Sequence, residues 1–254
     1  MTSQSTQTRA TQTRATGQAT LTPATGQATL TPVTGQAVLT AWERGLRADP
    51  LGRAVILLAA VTGLSDTEAE AVELGTRDAL LAAELIRLAG GAAWAWTRCT
   101  ACGEVLDVPV GRELLPRVPV PPLASVTVAG MTFRLPATRD LRSLPAPGRT
   151  GLLDRLRVSS DGEITEELAD AVEAAMEQAA PGAAVQVDVT CPECGAETTA
   201  ALDVPGLLWA HVSAAAAVLL SEIHTLSSAY GWTEGEVLAL STTRRRAYLE
   251  LVHS

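Results

Sequence analysis

The spacing of apolar residues changes several times along this chain, and each change marks an element. From Val38 the spacing is helical through Arg47, where Asp49-Pro50 closes one helix and caps the next. Leu51–Val61 is apolar nearly all round and predicts a buried helix. Ser65-Asp66-Thr67-Glu68 is a capping box that opens a third helix. Thr76–Ala89 sets Leu80, Leu81, Leu85 and Leu88 on one face before Gly90-Gly91 stops it. The period then drops to two, with Trp94 and Trp96 alternating with small residues in a strand. Pro116–Pro122 is a linker, followed by a hairpin pattern: Ser125–Val128, a turn at Ala129-Gly130, and Met131–Leu135. Gly151–Leu156 predicts a short helix, and Thr165–Ala180 a longer one with Leu168, Val172, Met176 and Ala179 on a single face. Val185, Val187 and Val189 alternate again as a strand. The longest helix is expected over Leu207–Tyr230, with Leu208, Val212, Ala216, Leu219, Ile223 and Leu226 as its stripe and Gly231 as its end. Thr233-Glu234-Gly235-Glu236 is a second capping box, and Ser241-Thr242-Thr243 caps a last helix.

Residues 1–37 have no such pattern. Ala-Thr-Gly-Gln-Ala-Thr-Leu-Thr-Pro runs from Ala15 to Pro23, repeats from Ala24 to Pro32, and fades through Val33-Thr34-Gly35-Gln36-Ala37. So few apolar residues cannot bury a core. A disordered tail is expected, either a product of repeat slippage or a tether for a partner.

All four cysteines fall in two hooks, Cys99-Thr100-Ala101-Cys102-Gly103 and Cys191-Pro192-Glu193-Cys194-Gly195. A Cys-x-x-Cys-Gly turn sets two sulfurs on one side of a bend, and glycine can take the positive φ that closes it. Each hook leads into a strand-like run ending in the same letters, Leu106-Asp107-Val108-Pro109 and Leu202-Asp203-Val204-Pro205. Two facing hooks give the four thiolates of a structural Zn²⁺ site, a zinc ribbon in two halves with a subdomain inserted between them. Two disulfides in an exported protein, or a redox pair, are the alternatives. No leader is recognised and a redox motif needs one hook, so zinc is preferred. A closed Cys₄ site has no open position for substrate, so it argues for architecture and against metal catalysis.

Composition narrows the classes. Hydrophobic residues make up 47% but aromatics only 3%, so alanine, leucine and valine carry a helix-rich core. Lysine is absent, which excludes any mechanism that needs one. A net charge of −9 disfavours free nucleic acid as a partner. The apolar runs Leu51–Val61 and Leu207–Leu220 are short for a membrane span, and His211 interrupts the second. A soluble cytoplasmic protein is expected. No nucleophile motif, phosphate loop or histidine-rich metal site is found, so no catalytic residues are assigned and no enzyme is expected.

The ending Glu222-Ile223-His224-Thr225-Leu226, Tyr230-Gly231-Trp232-Thr233-Glu234-Gly235-Glu236-Val237-Leu238-Ala239-Leu240 and Arg244-Arg245-Arg246-Ala247-Tyr248-Leu249 resembles one family. This is the baseplate hub assembly chaperone family of T-even-like phages and phage-tail-like contractile injection systems. The resemblance extends to the second hook and to Arg134-Leu135-Pro136-Ala137-Thr138-Arg139-Asp140-Leu141; Thr233 departs from the family's usual serine. It implies a non-enzymatic structural or chaperone-like baseplate component, with baseplate, hub or spike proteins as partners. Trp232, Arg244, Arg245, Arg246 and Tyr248 are the candidate partner-contact residues. Trp232 and Tyr248 also suit core anchors, and the arginines a solvated helix face. His224 reads as a helix-face residue. The competing function is a zinc-ribbon nucleic-acid binder or regulator.

The expected architecture is mostly α with a small α+β part. It comprises a tail (1–37), a helical N-terminal region (38–92), the first half of the ribbon (93–110), an α+β insert (111–183), the second half (184–205) and a C-terminal helical cap (206–254). Cys99, Cys102, Cys191 and Cys194 are the expected zinc ligands.

Overall fold

The computed structural model describes residues 20–23, 34–112, 123–142, 148–159, 162–180, 182–183 and 185–253. Most of the expected tail and the linker over 116–122 lie outside them. Within the tail, Thr20–Pro23 is a strand, β1, and a helix begins at Gly35.

The first helices are α1 (Gly35–Gly45), α2 (Pro50–Thr62), α3 (Asp66–Ala71) and α4 (Leu74–Leu88). Their ends follow from local chemistry. Thr34 accepts from the Ala37 N–H, Asp49 accepts from the Gly52 N–H ahead of Pro50, and Ser65 and Glu68 close a reciprocal capping box. Gly63, at φ 77°, ends α2 in a conformation that a Cβ would strain. Helix α1 starts three residues earlier than its pattern suggests, and its opening is a third copy of the repeat. Thr34-Gly35-Gln36-Ala37-Val38-Leu39-Thr40 matches Thr16-Gly17-Gln18-Ala19-Thr20-Leu21-Thr22 except for Val38 in place of Thr20, yet the first copy supplies a strand and the third a helix. The next residue separates them. Pro23 disfavours helical backbone at Thr22, whereas Ala41 lets the helix run on.

Two small hairpins follow from period-two patterning. Strands β2 (Ala92–Arg98) and β3 (Val105–Gly111) pair antiparallel. Later, β7 (Gln186–Thr190) and β8 (Glu197–Ala201) do the same. Between them lies the insert. It contains β4 (Leu123–Val128), β5 (Met131–Arg134), α5 (Thr138–Arg142), α6 (Arg149–Leu156), β6 (Arg157–Ser159) and α7 (Glu166–Ala179). Its sheet has the order β1-β4-β5-β6. Ala129 and Gly130, both at positive φ, make the two-residue turn between β4 and β5. Val126, Phe133, Leu135, Leu153, Val172 and Ala179 form the insert's own core.

The chain ends in α8 (Val204–Tyr230), α9 (Glu234–Ala239) and α10 (Thr242–His253). Helix α8 is long and apolar enough to cross a membrane by length and composition, although the apolar run Leu207–Leu220 reads as short for one in the sequence, and it starts three residues before the expected Leu207. It begins at Val204, capped by Asp203, and the ring Nδ1 of His211, the residue that interrupts its apolar run, donates to the Leu207 carbonyl one turn back. The letters Leu-Asp-Val-Pro therefore have two outcomes. In the first hairpin Val108-Pro109 stay paired to β2; in the second, the Leu202 N–H makes the last bond across the hairpin, to the Val185 carbonyl, and Val204-Pro205 open a helix.

The stripe of α8 packs on α1, α2 and α4. Leu58, Leu81, Leu85, Leu208 and Leu226 are completely buried there, each contributing roughly 1.5–3 kcal/mol. The N-terminal helices and the C-terminal cap thus share one core with the feet of both hairpins, through Ala93, Ala95, Val108, Val110, Val187 and Ala200. The expected arrangement, two helical regions joined by the cysteine hairpins, gives way to one body because the all-round apolar α2 needs α8 as a neighbour. The insert is fixed to this body by polar bonds. The Leu74 N–H donates to the Pro136 carbonyl at 2.9 Å, the buried Arg77 Nη1 donates to Thr138 Oγ1 at 2.8 Å, and Arg142 bridges Asp49 and Glu70.

Candidate metal centre

Each Cys-x-x-Cys-Gly stretch is the tip of a hairpin, and the two tips are built alike. The Cys99 N–H donates to the Glu104 carbonyl (2.8 Å) and the Gly103 N–H to the Cys99 carbonyl (2.9 Å). In the other tip, the Cys191 N–H donates to Ala196 (2.9 Å) and the Gly195 N–H to Cys191 (3.0 Å). Gly103 and Gly195 sit at φ 78° and 73°, left-handed positions where a side chain costs about 1 kcal/mol. The tips are joined by the Thr100 N–H, which donates to Oγ1 of the buried Thr198 at 3.3 Å.

This arrangement brings all four sulfurs together. Cys99 and Cys194 Sγ are 3.6 Å apart, as are Cys102 and Cys191, and the four lie within 4.8 Å of one another. None is in a disulfide. A tetrahedron with metal–sulfur bonds of about 2.3 Å has edges of about 3.8 Å, so the cluster could hold one metal ion. Cys99 and Cys191 are buried against Leu106, Val189 and Ala196, while Cys102 and Cys194 face outward.

The electrostatics show what the cluster lacks without a cation. Backbone N–H groups of Cys102 and Ala101, aimed at its sulfur, bring the Cys99 thiol down to about 6. The Glu104 N–H would do the same for Cys102, but the sulfurs of Cys194 and Cys99 beside it push Cys102 up to about 12. Cys194 is raised as well: the Ala196 N–H and Cys102 favour its thiolate, but Cys99 and burial outweigh them. Four thiolates this close repel one another, and a divalent ion removes the conflict. Four sulfur donors would also fill a tetrahedral ion's coordination, which leaves no position for a substrate.

The C-terminal candidates lie elsewhere. Helix α8 leaves the second hairpin and runs its 27 residues, about 40 Å, to Tyr230. There the rings of Tyr230 and Trp232 stack at 4.7 Å, and Tyr248 meets Trp232 edge-on at 4.9 Å. Trp232 and Tyr248 are half-buried against the main core, and Tyr230 is 39% exposed. The three arginines separate: Arg244 and Arg246 are exposed, whereas Arg245 turns inward, 2.9 Å from the Glu222 carboxylate. His224 is exposed on the outer face of α8.

Trp94 and Trp96, which the sequence places only in a strand, are 63% and 70% exposed. They share the outer face of the first hairpin with Val105 and Pro109, while Ala93 and Ala95 face the core. The signal was the Ala-Trp-Ala-Trp alternation itself. The small residues let the hairpin lie close on the body, which leaves the tryptophans outside. Comparison with family models, with curated proteins and with solved structures gives no match.

Proposed function

We propose that the four cysteines bind one structural Zn²⁺ as a ribbon split between two hairpins. In this reading the chain works without catalysis, in the cytoplasm, as a structural or assembly component of a phage-tail-like contractile injection system baseplate. The observation that carries the zinc is the spacing of Cys99, Cys102, Cys191 and Cys194, four soft donors at tetrahedral separation with no disulfide. Zinc would close the chain from Cys102 to Cys191 around the insert, fixing distant segments in one rigid unit.

The baseplate assignment is supported by the C-terminal resemblance, and protein–protein contact by the exposed groups. Arg244 and Arg246 beside the Tyr230–Trp232–Tyr248 cluster suit an acidic partner surface, and the exposed Trp94 and Trp96 form an apolar patch of the kind that marks an interface. The net charge of −9 weighs against a nucleic-acid partner.

The test has two parts. The purified full chain is analysed for bound metal, with one zinc per chain expected; a metal-free protein with four free thiols would overturn the zinc reading. The tagged chain is then expressed with its neighbouring tail genes and isolated. Recovery of hub, spike or other baseplate proteins is expected, with loss of recovery for Arg244→Glu/Arg246→Glu. Normal particle assembly after deletion of the gene would overturn the baseplate reading.

A further inference from the structure

The outer edge of the insert's sheet is covered by a piece of the N-terminal repeat. Strand β1 pairs antiparallel with β4, Thr20 opposite Thr127, Leu21 opposite Val126 and Thr22 opposite Ser125. On the other side of β4, the Leu135 N–H donates to the Ala124 carbonyl at 3.0 Å. Backbone groups alternate sides along a strand, so Ala124 and Val126 turn to β5, and Ser125 and Thr127 turn to β1. The bonds to β1 therefore fall on Thr20 and Thr22. Pro23, with no N–H, sits opposite Leu123 where the register slips.

The chain carries this strand twice. Thr29-Leu30-Thr31-Pro32 is identical to Thr20-Leu21-Thr22-Pro23, within two identical nonapeptides. One β4 edge thus has two identical donors in the same chain, and the first of them holds it. The insert meets the body at the starts of α2 and α4, through Arg142 with Asp49 and Glu70 and through the Leu74 N–H and Arg77. The start of α1 is at the other end, where Gly35 lies against Leu219 and Leu238. Helix α1, about 16 Å long, lies between. The connection 24–33 can extend to roughly 35 Å, enough for the first donor to reach β4. The second donor ends one residue, Val33, before the Thr34 cap, and the β4 edge of its own chain is already held by the first.

We infer that the β4 edge is a strand-acceptor site for Thr-Leu-Thr-Pro, filled by Thr20–Pro23 within a chain, and that Thr29–Pro32 is a spare donor for the β4 edge of a second copy. Main-chain bonds give such strand addition its affinity. In cis the linker raises the effective concentration of the first donor, so exchange between copies is a property of crowded or assembled chains.

The test uses full-length chains with donors disabled by proline, which removes the N–H groups. The quadruple variant Thr20→Pro/Thr22→Pro/Thr29→Pro/Thr31→Pro has an empty acceptor. Its helicity is expected to match the parent, and its Ser125 and Thr127 amides to exchange roughly tenfold faster. Mixed with the parent chain, it is expected to form a one-to-one complex by sedimentation and to regain protection at those amides. Mixed with Thr29→Pro/Thr31→Pro, it is expected to stay monomeric. A synthetic Ala-Thr-Gly-Gln-Ala-Thr-Leu-Thr-Pro peptide is expected to restore the same protection at high concentration. The inference is overturned if the quadruple variant keeps its Ser125 and Thr127 protection alone, if neither parent nor peptide restores it, or if Thr29→Pro/Thr31→Pro binds as well as the parent.

Discussion

Arg245 Nε on α10 lies 2.9 Å from Glu222 Oε2 on α8, in a pair whose side chains are only 9% and 19% exposed. A second donor of the same guanidinium, Nη1, reaches the Leu240 carbonyl at 3.0 Å. The pair holds the last helix against the long one. Truncating one partner of a buried pair strands the other charge, so Arg245→Ala should destabilise the fold by about 3 kcal/mol. The shift would appear in the denaturant midpoint at unchanged slope. Arg244→Ala and Arg246→Ala, at exposed sites, should stay within about 0.5 kcal/mol. Equal losses at all three positions would show that the ion pair does not hold α10.

Three adjacent arginines with one inward were not distinguishable from the letters, because the choice is made by where α10 crosses α8. Local features were legible. The capping boxes at Ser65/Glu68 and Thr233/Glu236 form as their spacing implies, and the stripe from Leu208 to Leu226 is buried residue for residue. The clustering of the four cysteines was legible too, since each tip is a self-contained turn repeated in sequence. Phase and context were not. Trp94 and Trp96 alternate as expected, but which face looks outward depends on what the hairpin packs against. The two Leu-Asp-Val-Pro stretches diverge because one still has a strand partner and the other does not. The sharing of one core by α1, α2, α4 and α8 depends on contacts across most of the chain, which no local window contains.

The corner between α1 and α2 leaves no room for a methyl group. A Cβ on Gly45 would lie 2.2 Å from Trp209 Cζ3 and 2.5 Å from Cη2, and the indole is held in place by Arg53, whose guanidinium carbon sits 4.8 Å over the ring. Helix propensity alone would make Gly45→Ala favourable by about 1 kcal/mol. Overpacking in a filled site costs about 1–3 kcal/mol, so the substitution should be neutral to destabilising. Its signature should be a changed Trp209 environment in near-ultraviolet circular dichroism. A stabilised variant with an unchanged spectrum would mean the ring moves freely.

The link between the insert's hairpin and α5 should weaken in acid. Burial alone would raise the Asp140 carboxyl, but the bidentate Arg134 guanidinium, at 2.5 and 2.6 Å, and the Ala137 N–H at 2.9 Å hold it below the usual carboxylate range. A group lowered by folding stabilises above its unfolded pKa, about 3.9 for Asp, and loses that contribution as pH falls through the folded value. Asp140→Asn should therefore cost about 1.5–3 kcal/mol at pH 7, the worth of hydrogen bonds to a charged group. The gap between the two proteins should close progressively below about pH 4. A gap that stays constant to pH 2 would assign the loss to shape and not to charge.

Metal removal separates the tips of the hairpins from their feet. Ala93, Ala95, Val108, Val110, Val187 and Ala200 belong to the main core, whereas Cys99, Cys191 and Leu106 form a small cluster of their own. Without a cation, the sulfurs of Cys194 and Cys99 push the Cys102 thiol up, and among the described residues the Thr100–Thr198 contact is the hydrogen bond that joins one tip to the other apart from the sulfurs themselves. Chelation of the zinc-loaded chain should therefore leave most of the helicity of α1, α2, α4 and α8 in place. Amide exchange should rise sharply at Cys99–Glu104 and Cys191–Ala196 and fall off along the strands. Cys102→Ser removes one outward-facing ligand, and should reproduce the pattern at the tips while lowering bound metal below one per chain. Acid should do so too, because the ligands bind metal as thiolates and protons compete for them. Cooperative loss of all helicity on chelation would instead mean that the body depends on the metal for its fold, and that the buried feet do not hold the hairpins by themselves.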